Sequence, residues 1–493
     1  MRDQCSALPA DQLLANLPPV PDLRAVDVRE AVLRSGRTLV VLDDDPTGTQ
    51  TVADLPVLTS WTAEDLRWAF RQERTAFYVL LNTRSLTAER ARMRNQEVVA
   101  AVAAVAASEG REFVVASRSD STLRGHYPLE TEVLAAELLA RTGRAVDGVV
   151  VVPAYLDAGR VTVDSVHWSR TDQGFLPVGQ TEFARDPAFG YRASDLREWV
   201  VEKGGWPDVE GVGRITLDHL RTGGPDAVAR ILADLSDGRP VVVDAVDDAD
   251  LLVLTLGILR AEEAGAHLLY RVGPSFVRAR AGLEAREPLD RTALAALRTG
   301  ARRDPVHGLI VVGSHVPRTS RQLRTLSDRG DVHQIVLDVP QVLAGDAARR
   351  AAVERAASTV VQALNRSDVA LVTSRELVTD EVAEASLQIA ASVSAALVDV
   401  VRRVIAEVTP GWVVGKGGIT SNDIATEALG ITRAWIAGTL LPGIVSVWDP
   451  VTGPTTGTPY VVFAGNVGDD DALSQVVATL RAGSAGTPEG TDR

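Results

Sequence analysis

The first residues that could do chemistry are three consecutive aspartates, Asp43, Asp44 and Asp45, followed by Pro46-Thr47-Gly48. Adjacent carboxylates repel one another and gain nothing from packing. The cluster therefore predicts a metal site, a proton acceptor or a group that binds polyol hydroxyls. The alternative is a solvated turn in which Asp-Pro-Thr-Gly caps a helix. The residues alone leave both interpretations open.

Arginines form a second group of candidates. The stretch Arg118-Ser-Asp-Ser-Thr-Leu-Arg-Gly125 holds two arginines, an aspartate and three hydroxyls. This pattern favours a small anionic, hydroxylated ligand, because a guanidinium binds a carboxylate through two parallel hydrogen bonds. A charged surface turn would look similar. If the segments converge, a sugar-acid site would form in which the aspartates face four arginines: Arg84, Arg118, Arg124 and Arg160.

Glycine turns in the second half predict phosphate binding. Gly415-Lys-Gly-Gly-Ile-Thr-Ser-Asn-Asp423 precedes a predicted helix, Ile424–Leu429, and holds Lys416, one of two lysines in the chain. Backbone N–H groups at a helix N-terminus bind phosphates. The loop is neither a Walker A nor a G-x-G-x-x-G motif. Similar turns occur at Gly313-Ser314-His315 and Phe463–Asp469. Three such turns predict a nucleotide site, with tight structural turns as the alternative.

These candidates follow β-branched runs that predict buried strands. In the first half the runs are Thr38–Leu42, Phe77–Leu81, Phe113–Ala116, Val149–Val152 and Pro240–Val243. In the second half they are Gly308–Gly313, Val369–Thr373, Trp412–Gly415 and Tyr460–Phe463. Helical stretches such as Thr87–Ser108 separate them. Alternating strands and helices predict parallel sheets, whose ligands bind beyond the carboxyl ends of the strands.

The predicted fold class is therefore α/β, with two three-layer domains, mainly parallel sheets and an active-site cleft between the domains. The predicted segments are an N-terminal helical extension over residues 1–36, a first α/β domain over 37–300, a second over 301–481 and a disordered tail over 482–493. The boundary near residue 300 follows a charged, helix-like stretch, Leu289–Asp304.

Length and composition exclude several classes of protein. The chain has 493 residues, of which 45% are hydrophobic and 24% charged, enough for more than one core. A formal net charge of −14 is unfavourable for binding nucleic acid or an anionic membrane surface. The single cysteine, Cys5, cannot form an internal disulfide, which fits a reducing cytoplasm. No apolar run reaches the roughly 20 residues that span a bilayer.

Taken together, the motifs resemble those of the four-carbon acid sugar kinase family. Asp44-Asp45-Pro46-Thr47-Gly48 resembles its D-D-x-T-G motif, and Asp120-Ser-Thr-Leu-Arg-Gly125 its D-S-T-L-R-G motif. Gly417-Gly418-Ile419-Thr420 is similar to its G-G-x-T loop. Two positions depart from the pattern. Arg118 stands where a lysine is usual, and Ala464-Gly-Asn-Val-Gly468 replaces a lysine-serine-glycine-glycine turn, which bears on the exact substrate.

The resemblance implies an N-terminal domain that binds an acid sugar and a C-terminal domain that binds ATP with Mg²⁺. It implies phosphorylation of the terminal hydroxyl of a tetronate or 3-oxo-tetronate. The resemblance places Asp44, Asp45, Asp120, Ser121 and Arg124 in the sugar site, and Ser314, Gly417, Gly418, Thr420 and the turn near Gly465 in the ATP site. Together with the candidates at the strand ends, the predicted catalytic residues are Asp44, Asp45 and Asp120. The predicted substrate-binding residues are Asp43, Thr47, Arg84, Arg118, Ser121, Arg124 and Arg160. The predicted ATP-binding residues are Ser314, Lys416, Gly417, Gly418, Thr420, Gly465, Asn466 and Gly468.

Other functions stay open at this stage. One is a nicotinamide-dependent sugar-acid dehydrogenase, although the dinucleotide fingerprint is missing. Another is a non-catalytic sugar-acid-binding protein. The expected partners are a small sugar acid and ATP, without nucleic acid or membrane. The oligomeric state, the metal ligands and the choice of general base among the aspartates are left open.

Overall fold

The computed structural model describes residues 7–298, 307–314, 316–330, 332–374 and 383–484. The chain forms two compact units that divide between Ala285 and Arg286. The boundary predicted between residues 300 and 301 lies outside the described residues, as does the part of the predicted tail after residue 484. Each unit has its own α/β architecture and is described separately.

The first unit is built on a sheet of eight parallel strands in the order β2-β3-β1-β4-β11-β5-β10-β9. A further three strands, β6 to β8, lie outside it. The strands of this unit are β1 Arg37–Asp43, β2 Leu55–Leu58, β3 Ala76–Leu80, β4 Glu112–Arg118, β5 Gly148–Val152, β6 Arg160–Val163, β7 Val166–Thr171, β8 Gly174–Pro177, β9 Gly213–Ile215, β10 Arg239–Val243 and β11 Leu268–Val272.

The central strands of this sheet are buried along nearly their whole length, as expected when helices cover both faces. The longest helix of this unit, α4 (Ala88–Glu109), begins after Thr87, whose hydroxyl accepts from the Arg90 amide, and ends before Gly110, which has φ +62°. The helices are α1 Ala10–Leu13, α2 Ala25–Ser35, α3 Ala63–Arg71, α4 Ala88–Glu109, α5 Leu129–Thr142, α6 Leu196–Glu202, α7 Leu217–Arg221, α8 Gly224–Ala233, α9 Asp248–Glu263 and α10 Pro274–Arg280.

A small antiparallel sheet, β6-β7-β8, stands apart from the main sheet, and the sequence patterns did not predict it. Its β6–β7 turn has Asp164 at φ +51° and Ser165 at φ +68°, the geometry of a two-residue hairpin. The Asp244 carboxylate, just after β10, accepts hydrogen bonds from both turn amides, at 3.0 and 2.8 Å. Thr162 and Ala245 exchange two backbone hydrogen bonds. The small sheet is therefore fixed to the carboxyl end of β10.

The second unit has a seven-stranded sheet in the order β13-β14-β12-β15-β18-β17-β16. The first five strands pair in parallel, and β17 and β16 complete one edge antiparallel. Its strands are β12 Leu309–Val312, β13 Val332–Leu337, β14 Asp368–Thr373, β15 Val413–Lys416, β16 Arg433–Leu441, β17 Val445–Pro450 and β18 Tyr460–Phe463. Its helices are α11 Arg291–Leu297, α12 Pro317–Asp328, α13 Val339–Leu343, α14 Asp346–Leu364, α15 Ala383–Glu407, α16 Gly418–Asp423 and α17 Ala472–Ser484.

The predicted α/β class with two mainly parallel sheets is confirmed. The strand runs predicted from β-branched residues each coincide with an observed strand to within a residue or two, including Tyr460–Phe463. The predicted helix Ile424–Leu429 is instead a short π-helical turn, Ile424–Ala428, continuing from α16. Within the described ranges, no helix is both long enough and apolar enough to cross a membrane.

Candidate functional site

The carboxyl ends of β1 and β4 bring the first aspartate and the first arginine of the predicted site together. Asp43 and Arg118 are register partners, and Arg118 Nη1 donates to Asp43 Oδ1 at 2.7 Å. Both side chains are buried. Burial raises the pKa of Asp43 to about 7, against the opposing effect of Arg118. Asp43 Oδ2 has no hydrogen-bond partner among the described residues. The Asp43 carboxylate is therefore buried within the site, whereas the alternative interpretation of a solvated turn would have exposed it to water.

Arg84 joins the other two aspartates. Its Nη2 and Nε bind the two Asp44 carboxylate oxygens at 2.6 and 3.1 Å, and its Nη1 lies 3.3 Å from Asp45 Oδ2. Burial raises the pKa of Asp44 although Arg84 opposes it. For Asp45, burial also acts to raise the pKa, but Arg84 and the hydrogen bonds from Thr47 outweigh it and lower the pKa. Asp45 accepts from the Thr47 amide at 2.8 Å and so caps the turn that follows.

Asp120 lies in the loop after β4 and is paired with Arg124. Arg124 Nε donates to Asp120 Oδ2 at 2.6 Å, and the Thr122 hydroxyl donates to the same oxygen. Burial acts to raise the pKa of Asp120, but Arg84 and Arg124 outweigh it and hold the pKa well below its usual range. Asp120 is therefore ionised at neutral pH. Both described hydrogen bonds end on Oδ2, which leaves Oδ1 as the oxygen available to a ligand.

Two side chains from outside the motif hold this loop by its main chain. His167, on β7, donates from Nε2 to the Ser121 carbonyl at 2.8 Å, while its Nδ1 accepts from the Thr162 hydroxyl at 2.9 Å. The Tyr191 hydroxyl donates to the Thr122 carbonyl at 2.6 Å. Burial lowers the pKa of His167 to about 4, so the ring is neutral and this tautomer is fixed by its partners. The small sheet thus positions Ser121 and its neighbour Asp120.

His167 should make the protein sensitive to acid. Its folded pKa lies below the unfolded value of 6.5, so the unfolded state binds the proton more tightly. The stabilising contribution is complete above pH 6.5 and is lost as pH falls toward 4. Its size is on the order of 3 kcal/mol. Melting temperatures of wild type and His167→Gln between pH 7.5 and 4.5 should converge as the pH falls; a constant difference would contradict this role.

The sequence patterns missed a second buried ion pair in this region. Arg271, at the end of β11, binds Glu130 Oε2 at 2.6 Å and the Ser117 hydroxyl at 2.8 Å. Gly125, at φ +121°, lies beside Arg271 and Asp44, since a Cβ there would be 3.1 Å from Arg271 Nη2 and 3.1 Å from Asp44 Oδ2. The position of Arg271 at the end of a strand is the pattern by which the sequence could have indicated it. Glu130 lies within helix α5, where no strand-end pattern could indicate it.

Arg160, at the start of β6, differs from the other predicted arginines. Its guanidinium carbon lies 5.7 Å from the centre of the Phe183 ring, and that of Arg124 lies 5.1 Å from the same ring. Arg160 Nη1 donates to the Ala158 carbonyl. Arg160 and Arg124 therefore meet on one aromatic side chain. The predicted substrate-binding residues of the first unit lie around the same carboxyl edge.

In the second unit, the three predicted glycine turns converge at the carboxyl ends of the adjacent strands β12, β15 and β18. The Gly417 amide donates to the Phe463 carbonyl at 2.8 Å. Ser314 lies between two of the turns, because a Cβ on Gly417 would be 3.0 Å from Ser314 Cβ and one on Gly465 would be 2.9 Å from Ser314 Oγ. A Cβ on Gly313 would be 2.5 Å from Thr420 Oγ1. The turns therefore form one cradle of backbone and hydroxyl groups.

The remaining predicted residues of the second unit support this cradle. Lys416 is fully buried; its Nζ donates to the Ala464 carbonyl at 2.7 Å and lies 3.6 Å from the centre of the Phe463 ring. Burial, with a smaller effect of Arg318, lowers the pKa of Lys416 to about 7. Arg318 Nη1 donates to the carbonyls of Asn466 and Gly468 at 3.3 and 3.1 Å. Gly418 is the first residue of α16.

Gly417 offers a test of the cradle. Its φ is +112°, which alanine rarely adopts, and an added Cβ would press on Ser314. We expect Gly417→Ala to weaken nucleotide binding, measured by calorimetry with ATP as the probe, by about 10-fold or more, because strain of about 1–2 kcal/mol falls on the turn itself. Gly430→Ala is the matched control: it has φ +58°, but nothing lies within 4 Å of the added Cβ. Equal ATP affinity in the two variants would contradict the cradle.

Among the described residues, no group of three or more histidine, cysteine, aspartate or glutamate side chains is arranged to hold a metal ion. The metal ligands of the site therefore stay unassigned. Asp43 to Asp45, which the sequence offered as a metal site, are instead joined to arginines. Their arrangement fits hydrogen bonding to a polar ligand.

Comparison with known proteins identifies both units. Residues 39–280 match the family model of a sugar-binding N-terminal domain, and residues 309–473 match that of a nucleotide-binding C-terminal domain. No curated protein matches this sequence.

Two solved structures share the fold. A protein from Salmonella typhimurium LT2 aligns with a TM-score of 0.62 at 18% identity, covering 89% of this chain and 98% of that chain. A Haemophilus influenzae protein assigned to family DUF1537 aligns with a TM-score of 0.57 at 17% identity, covering 90% and 100%. At this level of identity these likenesses support the fold, whereas the two domain models, found in this order along one chain, identify the family. The chain belongs to the four-carbon acid sugar kinase family.

Proposed function

We propose that this protein is an ATP-dependent kinase that phosphorylates the terminal hydroxyl of a four-carbon acid sugar, a tetronate or a 3-oxo-tetronate. The observation that carries the proposal is the presence, in one chain, of a sugar-binding domain and a nucleotide-binding domain. The sugar-binding domain has ionised carboxylates and arginines at its strand ends. Such groups bind hydroxyls and an acid group, respectively.

Asp120 is the proposed proton acceptor for the attacking hydroxyl. It is ionised, and its Oδ1 is not engaged by the described residues. Phosphoryl transfer depends mainly on positioning and charge stabilisation, so a weakly basic carboxylate that orients the hydroxyl is sufficient. Asp43 is less suited to this role because its side chain is only 1% exposed. Asp45, with Thr47, is proposed to bind the other substrate hydroxyls, and Asp44, whose two oxygens bind Arg84, is proposed to orient that arginine.

The residues of the nucleotide-binding domain fit a polyphosphate. Because Gly417 and Gly465 have no side chains, their turns approach Ser314 closely, and backbone N–H groups and hydroxyls bind phosphate oxygens. Gly418 and Thr420 are proposed to contribute at the start of α16, and Asn466 and Gly468 from the neighbouring turn. Lys416 supports this turn through Ala464. When bound, ATP supplies the phosphoryl group and Mg²⁺ offsets the charge of its phosphates.

A coupled ADP-release screen tests the proposed function. Purified protein with ATP and Mg²⁺ is assayed against D- and L-threonate, D- and L-erythronate and their 3-oxo forms, and turnover is expected with at least one of them. Silence with every acid, in a folded protein that binds ATP, would point to another phosphoryl acceptor or to a non-catalytic binding protein. In a melting assay, stabilisation by NAD without stabilisation by ATP-Mg²⁺ would favour a dehydrogenase instead.

The partners proposed are therefore small molecules, a sugar acid and ATP. The cytoplasmic location stays a prediction, and homo-oligomerisation stays an open alternative. Size-exclusion chromatography with light scattering would measure the oligomeric state directly.

A further inference from the structure

The arginines at the carboxyl edge of the first unit differ in whether they are already paired. Four of them form ion pairs with carboxylates. The N–O distances are 2.6 Å for Arg84 with Asp44, 2.7 Å for Arg118 with Asp43, 2.6 Å for Arg124 with Asp120 and 2.6 Å for Arg271 with Glu130. Arg160 is the fifth, and in the described part of the chain it forms no ion pair.

The Arg160 guanidinium is nevertheless largely withdrawn from water. Its Nε is buried and has no hydrogen-bond partner among the described residues, and its one described hydrogen bond runs from Nη1 to the Ala158 carbonyl. Burial lowers the pKa of Arg160, and the negative charges of Asp120 and Glu182 offset this only in part. The ring of Phe183 lies beside it. Arg160 is thus a partly buried cation that forms no ion pair with the described residues, although Asp120 and Glu182 lie close enough to act on its charge.

A buried charge without a partner is unfavourable, and an anionic ligand removes that cost when it binds. A guanidinium offers parallel N–H groups that match the two oxygens of a carboxylate. Arg84, Arg118 and Arg124 are bonded to aspartates and would have to release them to do the same. We propose that Arg160, beside Phe183, is the residue that binds the carboxylate of the acid substrate, an inference that rests on the proposed kinase function.

This assignment deepens the proposed function, because it makes Arg160 the residue that selects acids over neutral polyols. The paired arginines then have a different task, which is to hold the aspartates that meet the substrate hydroxyls. Arg124 connects the paired arginines with Arg160, since it binds Asp120 and contacts the same Phe183 ring as Arg160. A polyol without an acid group would leave Arg160 unpaired and should bind weakly.

Calorimetry with Arg160→Gln tests the inference. The probe is D-erythronate or D-threonate, whichever the wild type binds more tightly. The affinity of the variant for the acid is expected to fall about 100-fold, while its ATP affinity stays unchanged. Because the substitution removes a partly buried charge that forms no ion pair with the described residues, the melting temperature without ligand should equal or exceed that of the wild type. Arg160→Ala should regain acid binding when millimolar guanidinium chloride is added.

Arg170→Gln is the matched control, because Arg170 lies on the same small sheet, is exposed and has its guanidinium 5.2 Å from the Phe175 ring. It should bind the acid like the wild type. Acid affinity of Arg160→Gln within threefold of the wild type would overturn the inference, as would a wild type that binds neither acid. A wild type that binds the acid but releases no ADP would instead contradict the kinase activity, and calorimetry would still decide the role of Arg160.

Discussion

Replacing Asp120 by asparagine is expected to lower the rate of ADP release with the acid substrate by about 10³-fold. The asparagine side chain keeps the shape of the aspartate but cannot take up the hydroxyl proton. It also loses the charge that binds Arg124 Nε at 2.6 Å. ATP affinity measured by calorimetry should stay within twofold, because the proposed nucleotide-binding residues belong to the other compact unit.

Asp186→Asn provides the control for this prediction. Asp186 is the other carboxylate near Arg124, with Oδ2 3.7 Å from Nη1, and it lies outside the motif. Its replacement should change turnover less than 10-fold, since a partly exposed pair at this distance contributes about 1 kcal/mol or less. Near-normal turnover of Asp120→Asn would exclude Asp120 as the proton acceptor and return the assignment to Asp44 or Asp45.

The sequence was sufficient to place Asp120 at the edge of a sheet because local signals agree there. A buried β-branched run ends at Arg118, and a polar stretch follows at once. Parallel strands end at a common edge, so Asp43 and Arg118 could be expected to be neighbours before their register was known. The same reasoning brought together the three glycine turns of the second unit. Polar side chains at strand ends can be predicted because two local signals are enough. A buried β-branched run marks the strand, and neighbouring parallel strands end at a common edge.

The residues that hold the loop could not be predicted in this way. His167 and Tyr191 reach Ser121 and Thr122 from 46 and 69 residues further along the chain. Nothing in the local pattern around His167 distinguishes it from an ordinary core histidine. The charge pairing is likewise a tertiary property: the sequence gives Arg118, Arg124 and Arg160 the same residue type and similar strand-end positions. Only the structure shows that two are paired and one is not.

Gly48→Ala is expected to disrupt the proposed acid-binding site by separating the buried ion pair of Asp43 and Arg118. An added Cβ would lie 1.9 Å from Asp43 Oδ2 and 2.6 Å from Arg118 Cζ, so the Asp43 carboxylate or the Arg118 guanidinium would have to move away. Breaking a buried pair costs about 3–5 kcal/mol, and a loss of free energy of unfolding of that order is expected in urea denaturation. Acid binding should fall with it, because Arg118 also lies 3.5 Å from Asp44 Oδ1.

The cause of this loss can be separated from a general intolerance of alanine. Gly36→Ala introduces a side chain at φ +63° with nothing within 4 Å, so it should cost only about 1 kcal/mol. In the double variant Asp43→Ala with Gly48→Ala, the carboxylate that meets the new Cβ is gone. The double variant should therefore lose less free energy of unfolding than the sum of the losses in the two single variants. Strict additivity would mean that Gly48 acts through the turn and not through Asp43. Gly48 is thus the glycine of the D-D-x-T-G segment for which the structure supplies a specific steric reason: the turn passes directly over the Asp43–Arg118 pair.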